Sequence, residues 1–371
     1  MPRCRCQAPG QERSGIMYQL NRYEVLEMMS TPAATIPHGV QMLGAPLEWP
    51  ETRGAGIKVA VLDTGRPEHP DIKVVDSFAS KNLRHSTGDV DRNGHSTHVC
   101  GTICANGKIM GVAPDVELYT AKVLDDTGGG DDITITEGIY WATQKNVDII
   151  NLSLGGREPQ PKLQNAIKFA VDNGIIVVCA AGNAGEAWMA YPAKYPETIA
   201  VVAVDKYKHW PDFSSVGEEV ELAALGVDVL STYLNGGYAI LRGTSMACPH
   251  ITGAIAIMQA KAKKRFGRKL NLQEMRLALH IYAEDIGEPG RDRKHGFGVF
   301  SFGRFEKEEF IRPKLQLEIG SRIYYKDGLK REMDTEPVID PNNRTLVPVR
   351  FLAQEYGAKV TFIPPKTVLI E

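Results

Sequence analysis

From position 56 the chain alternates short, almost continuously apolar runs with amphipathic stretches of helical length. The runs are Ile57-Lys58-Val59-Ala60-Val61-Leu62, the stretch from Val116 to Leu124, Val147-Asp148-Ile149-Ile150-Asn151, Ile175-Ile176-Val177-Val178-Cys179-Ala180, and Ile199-Ala200-Val201-Val202-Ala203-Val204. Runs this long without polar alternation are typical of strands buried on both faces, as in parallel sheets. Helical stretches over 97–105, 132–145 and 161–173 separate several of them. Strand alternating with helix predicts an α/β fold, a doubly wound and mostly parallel sheet flanked by helices. In such sheets a ligand site lies beyond the carboxyl ends of the strands.

The flanks read differently. Residues 18–30 predict a short strand and the start of a helix, and Pro32 and Pro37 mark a linker. After Gly303 the chain turns polar. Lys314-Leu315-Gln316-Leu317-Glu318-Ile319 and Arg322-Ile323-Tyr324-Tyr325 predict strands about a Gly-Ser turn, with Lys326-Asp327-Gly328 as the next turn. The stretch from Arg344 to Gln354 predicts a short strand feeding a helix, and further strands follow around Val360 and over 367–370. The expected organisation is a leader over 1–39, an α/β domain over 40–305 and a small α+β C-terminal domain over 312–371.

Composition narrows the classes. A chain of 371 residues, 43% of them hydrophobic, can bury a large core and fits one large domain with a small one. A net charge of −2, from 43 basic and 45 acidic residues, argues against a nucleic-acid partner. No apolar run reaches the roughly 18 residues of a membrane span. The start, Met1-Pro2-Arg3-Cys4-Arg5-Cys6, is basic with no apolar segment behind it, so no secretory signal is expected. Cys100, Cys104, Cys179 and Cys248 sit among small apolar neighbours and read as buried free thiols, which lean towards a reducing compartment. Cys or His pairs at zinc-binding spacing are absent.

Residues with chemistry sit where the apolar runs end. Asp63 closes the first, Ser153-Leu154-Gly155-Gly156 follows the third, and Ala181-Gly182-Asn183 follows the fourth. Each alone is an ordinary turn. At the same end of successive strands they point to one cleft. His95 opens the predicted helix that follows Asn93-Gly94, where the dipole disfavours imidazolium and favours a neutral base. Ser245, in Gly243-Thr244-Ser245-Met246-Ala247-Cys248-Pro249-His250, opens a small apolar helix. Alone it is indistinguishable from a helix cap. With Asp63 and His95 it completes a nucleophile, its base and the acid that orients the base. Asn183 and the backbone N–H of Ser245 are candidate donors to an oxyanion. His98 reads as a core histidine, and a metal pair with His95 is the rival reading.

Val61-Leu62-Asp63-Thr64-Gly65, the run from Asn93 to Thr102, Ala180-Ala181-Gly182-Asn183 and the run from Gly243 to His250 stand in the order found in the subtilisin family of serine proteases. The chain resembles that family over roughly 40–305. The resemblance implies a serine endopeptidase working through an acyl-enzyme on Ser245. Asp63 would orient His95, His95 would act as general base and then acid, and Asn183 would bind the oxyanion with a weaker contact from Thr244. Gly128, Gly129 and Gly130, with Ser153, Leu154 and Gly155, match two extended segments that pair with substrate backbone, which implies broad specificity. Ala180, Gly182 and the segment near Ala190 match the pocket for the residue before the scissile bond, and their smallness implies an apolar preference. Tyr191-Pro192 matches a family bond that is cis. The chemistry requires no cofactor. Asp71 matches a carboxylate of the family's calcium site, so a structural calcium is the metal the resemblance raises. The stretch 105–110 is shorter than the family's calcium loop, which argues against the carbonyls such a site needs. Ser96 departs from a usual Gly beside the catalytic His, and Leu225 from a usual Pro.

The stretch ahead of position 40 is too short for the folded prodomain of secreted relatives. It resembles the short inhibitory extension of the intracellular ones. Tyr18-Gln19-Leu20-Asn21-Arg22-Tyr23 lies where their blocking motif lies, with Asn21-Arg22 replacing its apolar-Pro step. The extension is expected to occupy the cleft until it is cut. Arg344-Thr345-Leu346-Val347-Pro348-Val349-Arg350-Phe351, followed by Gly357-Ala358, resembles the domain named after the N-terminal domain of copper amine oxidases. No His or Cys follows His295, so no metal is implied there. The expected partners are protein or peptide substrates, plus a surface or protein partner for the C-terminal domain. The expected compartment is the cytoplasm; such C-terminal domains accompany surface proteins, which keeps the cell surface, or secretion without a visible signal, as the alternative. A pseudoprotease that holds peptides uncut is the rival function. Cys248, one helical turn from Ser245, is expected to make the enzyme sensitive to bulky thiol reagents.

Overall fold

The structure is a computed structural model that describes residues 17–20, 23–29, 34–86 and 88–305, and beyond these the strands 315–318, 323–326, 329–332, 338–339, 345–346, 360–363 and 367–370. The chain divides into two compact units, Met1–Arg304 and Phe305–Glu371.

The first unit is organised by one sheet. Its strands run in the order Ala283–Glu284, Val299–Phe300, Val220–Leu225, Thr198–Val204, Ile176–Ala180, Ile149–Leu152, Lys58–Asp63, Glu117–Lys122 and Val74–Ala79. Neighbours are parallel, except for the outermost pair, 283–284 with 299–300. The apolar runs become strands because both faces are covered. Ala60, Leu62, Ile150 and Leu152 join one core with Ile135 and Ile139 of the helix Asp132–Gln144. On the alternate positions Val59 and Val61 are also buried. The helices His95–Cys104 and Thr244–Phe266 pack on each other and cover that second face. Thr244–Phe266 approaches closely because its residues are small: a Cβ on Gly253 would stand 2.5 Å from the Val112 Cβ.

The chain leaves Lys58–Asp63, builds Val74–Ala79 and Glu117–Lys122 on one side of it, then crosses to place Ile149–Leu152 on the other. Such a switch in direction opens a crevice beyond the carboxyl ends of the central strands. Asp63 is the last residue of the strand at that point. The doubly wound, mostly parallel α/β class is therefore the observed one, with helix ends within a few residues of those the sequence predicts.

The stretch 18–30 differs from expectation. Its described residues form two strands, Met17–Gln19 and Glu24–Met29, and no helix start. Glu24–Met29 pairs antiparallel with Tyr238–Arg242, which also pairs with Val229–Thr232. Glu-Val-Leu-Glu-Met-Met is a fair helix former in isolation. An open strand edge offers its backbone a full set of partners, and tertiary pairing overrides the local preference.

In the second unit an antiparallel sheet runs Leu329–Glu332, Ile323–Lys326, Leu315–Glu318, Thr367–Ile370, Val360–Ile363. Val338–Ile339 pairs separately with Thr345–Leu346. The helix expected before Gln354 lies outside the described residues.

Candidate active site

Asp63 and His95 are both 0% exposed. The Asp63 carbonyl accepts from Val123 N at 2.9 Å and Leu124 N at 3.1 Å, which fixes the strand end. Its carboxylate accepts from Thr64 N at 2.7 Å and from His95 Nδ1 at 2.8 and 3.0 Å. A carboxylate only accepts, so Nδ1 carries the proton and Nε2 is left as the acceptor. That Nε2 is buried with no hydrogen-bond partner among the described residues.

His95 is the first residue of its helix. The helix start is held by Asp91, which the sequence reading missed. Its Oδ1 accepts from Thr64 Oγ1 at 2.9 Å and from the N–H groups of Asn93 and Gly94 at 3.0 Å, and its Oδ2 from Thr97 N at 2.8 Å and Thr97 Oγ1 at 2.6 Å. One buried carboxylate thus satisfies orphan N–H groups of the turn and ties the helix to the residue after Asp63. The available signal was an acidic residue just ahead of a helix start. Ser96, the departure from the family's Gly, donates from Oγ to Gly65 O at 2.5 Å, and its N–H donates to Thr64 Oγ1 at 3.1 Å. Its hydroxyl locks the helix start to the strand end.

Ser245 is the second residue of the helix Thr244–Phe266, behind Gly243 at φ 148°. That left-handed backbone suits glycine alone. Ser245 Oγ donates to Ser153 O at 3.0 Å, so the hydroxyl is turned away from His95 Nε2. Pro249 lies four residues on and lacks the N–H that would bond the Ser245 carbonyl. Ser153 Oγ takes its place, donating to Ser245 O at 3.1 Å. Asn183 Oδ1 accepts from Thr244 N and Thr244 Oγ1, both at 2.9 Å, which fixes the amide flip. Thr244 Oγ1 also accepts from Gly182 N at 3.2 Å, so its hydroxyl serves Asn183 and Gly182. Ala180 and Ala190 are fully buried, and a Cβ on Gly182 would stand 3.2 Å from that of Ala190. Leu154 is buried, and Gly156 beside Gly155 exchanges backbone hydrogen bonds of 2.8 and 2.9 Å with Tyr191. Tyr191-Pro192 is cis.

The N-terminal segment lies across these elements. Met17–Gln19 pairs antiparallel with Gly129–Asp131, and Leu20 N donates to Gly128 O at 3.0 Å. Tyr18 is buried against Gly156. The Tyr23 ring sits 4.8 Å from the His95 ring, and its hydroxyl donates to Asn93 Oδ1 at 2.9 Å.

His98 is not brought into a metal pair. Its Nε2 donates to Val229 O at 3.0 Å and Ala239 O at 3.2 Å, and burial lowers its pKa to about 3. It pins the helix to the hairpin behind it. Asp71 does not fit a cation: its Oδ2 accepts from Ile109 N at 3.1 Å and the Tyr238 hydroxyl at 3.0 Å. The short loop presses so close that a Cβ on Gly107 would stand 2.1 Å from Asp71 Oδ1. Among the described residues no group of three or more His, Cys, Asp or Glu could hold a metal. Cys100, Cys104, Cys179 and Cys248 are free and buried. Cys248 donates to Asn151 Oδ1 at 3.3 Å, and burial pushes its thiol up to about 12. A buried thiol whose pKa is raised is a poor nucleophile, which weighs against the expected sensitivity to bulky thiol reagents.

The sequence resembles those of known proteins. The model of the Subtilase family matches residues 54–298, and that of the Copper amine oxidase N-terminal domain matches residues 312–370. The chain is 45% identical to an intracellular serine protease of Paenibacillus polymyxa over 254 residues, 65% of this chain and 78% of that protein. It is 43% identical to the major intracellular serine protease of Bacillus subtilis (strain 168) over 256 residues, 65% of this chain and 80% of the relative. Subtilisin DY of Bacillus licheniformis is 42% identical over 267 residues, 69% and 94% of the two chains. With the match spanning Asp63, His95, Asn183 and Ser245, the chain belongs to the subtilase family and is a serine endopeptidase.

Proposed function

We propose that this endopeptidase cuts peptide bonds through an acyl-enzyme on Ser245. The observation that carries the reading is His95, tied by Nδ1 to Asp63 while its Nε2 is buried and unpartnered among the described residues. When substrate binds, the Ser245 hydroxyl turns from Ser153 O to Nε2, gives up its proton and attacks the scissile carbonyl. The imidazolium so formed lies against the Asp63 carboxylate. The oxyanion sits between the Asn183 amide and the N–H of Ser245 at its helix start. His95 then protonates the leaving amine, and water repeats the sequence on the ester.

Substrate would lie as a strand beside 128–130 and 153–155, giving broad specificity through backbone pairing. The antiparallel pairing of Met17–Gln19 with Gly129–Asp131 supports that mode. Ala180, Gly182 and the Ala190 segment would take an apolar side chain before the scissile bond. The N-terminal segment acts as an inhibitor, supported by Tyr23 over His95, and is removed by cutting. The reaction needs no cofactor. A cytoplasmic location is supported by the named intracellular relatives and the buried free thiols. No helix among the described residues is long and apolar enough to cross a membrane. The C-terminal domain would bind a surface or a protein partner.

A fluorophosphonate probe tests the core of this. It should label Ser245, and both labelling and peptide hydrolysis should vanish in Ser245→Ala. Turnover that survives Ser245→Ala and is lost with chelator would point to metal chemistry instead. Absent labelling and absent turnover in the chain cut after the N-terminal segment would indicate a pseudoprotease.

A further inference from the structure

Lys122 ends the strand Glu117–Lys122 and pairs in register with Asp63. Its side chain is 0% exposed. Nζ donates to the Thr64 carbonyl, to Val90 O at 3.1 Å and to Asp126 Oδ1 at 2.7 Å. Three acceptors use all three N–H bonds of an ammonium group. Lysine is almost never buried completely unless paired, and an apolar side chain would fill such a space without desolvating a charge. Two of its acceptors flank the catalytic pair: Thr64 follows Asp63, and Val90 precedes Asp91.

We propose that Lys122, with Asp126 as its counter-ion, is a positioning residue for the Asp63–His95 pair: it anchors the turn behind Asp63 and supplies a buried positive charge that disfavours imidazolium on His95 before substrate binds. This rests on His95 being the general base. Asp63, Asp91 and Asp126 supply negative charge around the ring, from the strand end, the turn before its helix and the loop after Lys122. Tyr23 lies beside the ring and Tyr233 packs against Gly94 just ahead of it, both as neutral phenols with pKa values raised chiefly by burial. His98 and His250, from its own helix and from Thr244–Phe266, are kept neutral by burial, at about 3 and about 4. Lys122 is thus the positive member of the set, and Asp126, its side chain 27% exposed at the rim, offsets it in part.

The acid limb of the pH profile of kcat/KM reports the free enzyme's essential base. In Lys122→Met the nearby positive charge is gone and imidazolium forms more readily. The acid limb should move up by roughly 0.5–1 pH unit, the order expected of one incompletely screened nearby charge. In Asp126→Asn the ammonium loses its counter-ion, and the limb should move down by a smaller amount. A side chain that merely fills space would move neither limb, and general loosening would not move them in opposite directions. The full chain, allowed to cut off its N-terminal segment, and a chromogenic peptide suffice. Opposite shifts support the proposal; unmoved limbs, or shifts of the same sign, overturn it. If Lys122→Met does not fold, Asp126→Asn decides alone: a downward shift supports, and no shift or an upward one overturns. Failure of the base assignment is separate, since it would show as turnover surviving His95→Ala.

Discussion

Substituting Tyr18 should move activity in opposite directions, depending on whether the ring or only the hydroxyl is removed. The ring is 0% exposed and packs against Gly156, where a Cβ would stand 3.1 Å from Cδ1 and Cε1. The hydroxyl is buried with no partner among the described residues, and burial raises its pKa. Truncating a packed aromatic side chain to Ala costs about 3–5 kcal/mol. At 1.4 kcal/mol per tenfold, Tyr18→Ala should shift the balance of closed and open cleft by about 10²–10³. The segment is short, and ordering costs about 1–2 kcal/mol per residue, so only a few kcal/mol hold it closed. Losing the ring should therefore open most molecules. Tyr18→Phe keeps the ring and removes a hydroxyl desolvated without a bond, a penalty of about 1–2 kcal/mol. It should close the cleft about 5–30-fold more firmly. The assay is the initial rate of full-length protein on a short chromogenic peptide, read before self-cleavage. Tyr18→Ala should start at least tenfold faster than the parent, near the rate of the chain cut after the segment, and Tyr18→Phe slower. An alanine variant within twofold of the parent, or a phenylalanine variant faster than it, would refute the reasoning.

Other consequences follow from the same geometry. Asn183→Ala should lower kcat by about 10²–10³ with KM little changed, the range seen when such a donor is removed from a subtilisin; a loss under threefold would argue against the oxyanion role. Tyr238→Phe leaves Asp71 with the Ile109 N–H and should cost about 1–3 kcal/mol, lowering Tm by several degrees, whereas chelator should leave the parent's Tm unchanged. A Tm that falls with chelator would restore the calcium reading. His98 and His250 have pKa values lowered by burial from 6.5 to about 3 and about 4. Between those values and 6.5 the unfolded chain binds protons that the fold does not, so stability falls as pH falls. From pH 7 to pH 5 the loss should be about 2 kcal/mol per histidine, visible as a lower urea midpoint; an unchanged midpoint would contradict it.

Much of this was legible because the candidate site residues sit at strand ends and helix starts, where sequence patterns are sharpest. Asp63 ends an apolar run, Asn183 follows another, and His95 and Ser245 open helices. What joins them was not legible. Asp91 is one acidic residue in a polar turn until Thr64, Gly94 and Thr97 are seen to converge on it. Lys122 closes an apolar strand and gives no sign of its buried role, because two of its three acceptors, the Thr64 and Val90 carbonyls, lie on loops distant in sequence. Glu24–Met29 reads as helical since its partner strand lies more than two hundred positions away. Asp71 could be matched to a calcium carboxylate by its motif, but only the fold shows the Tyr238 hydroxyl there instead. Thr244 is expected to add a weaker contact to the oxyanion, and only the fold shows that it also holds the Asn183 amide oxygen.

The central claim is covalent, and a mass measurement tests it most directly. The chain cut after its N-terminal segment is mixed with a slowly deacylated peptide ester, quenched in acid within one turnover, digested and sequenced by mass spectrometry. The account predicts the acyl group on Ser245, with a burst of one leaving group per enzyme, and loss of both in Ser245→Ala. An adduct on another residue, or hydrolysis that continues in Ser245→Ala without any adduct, would contradict it.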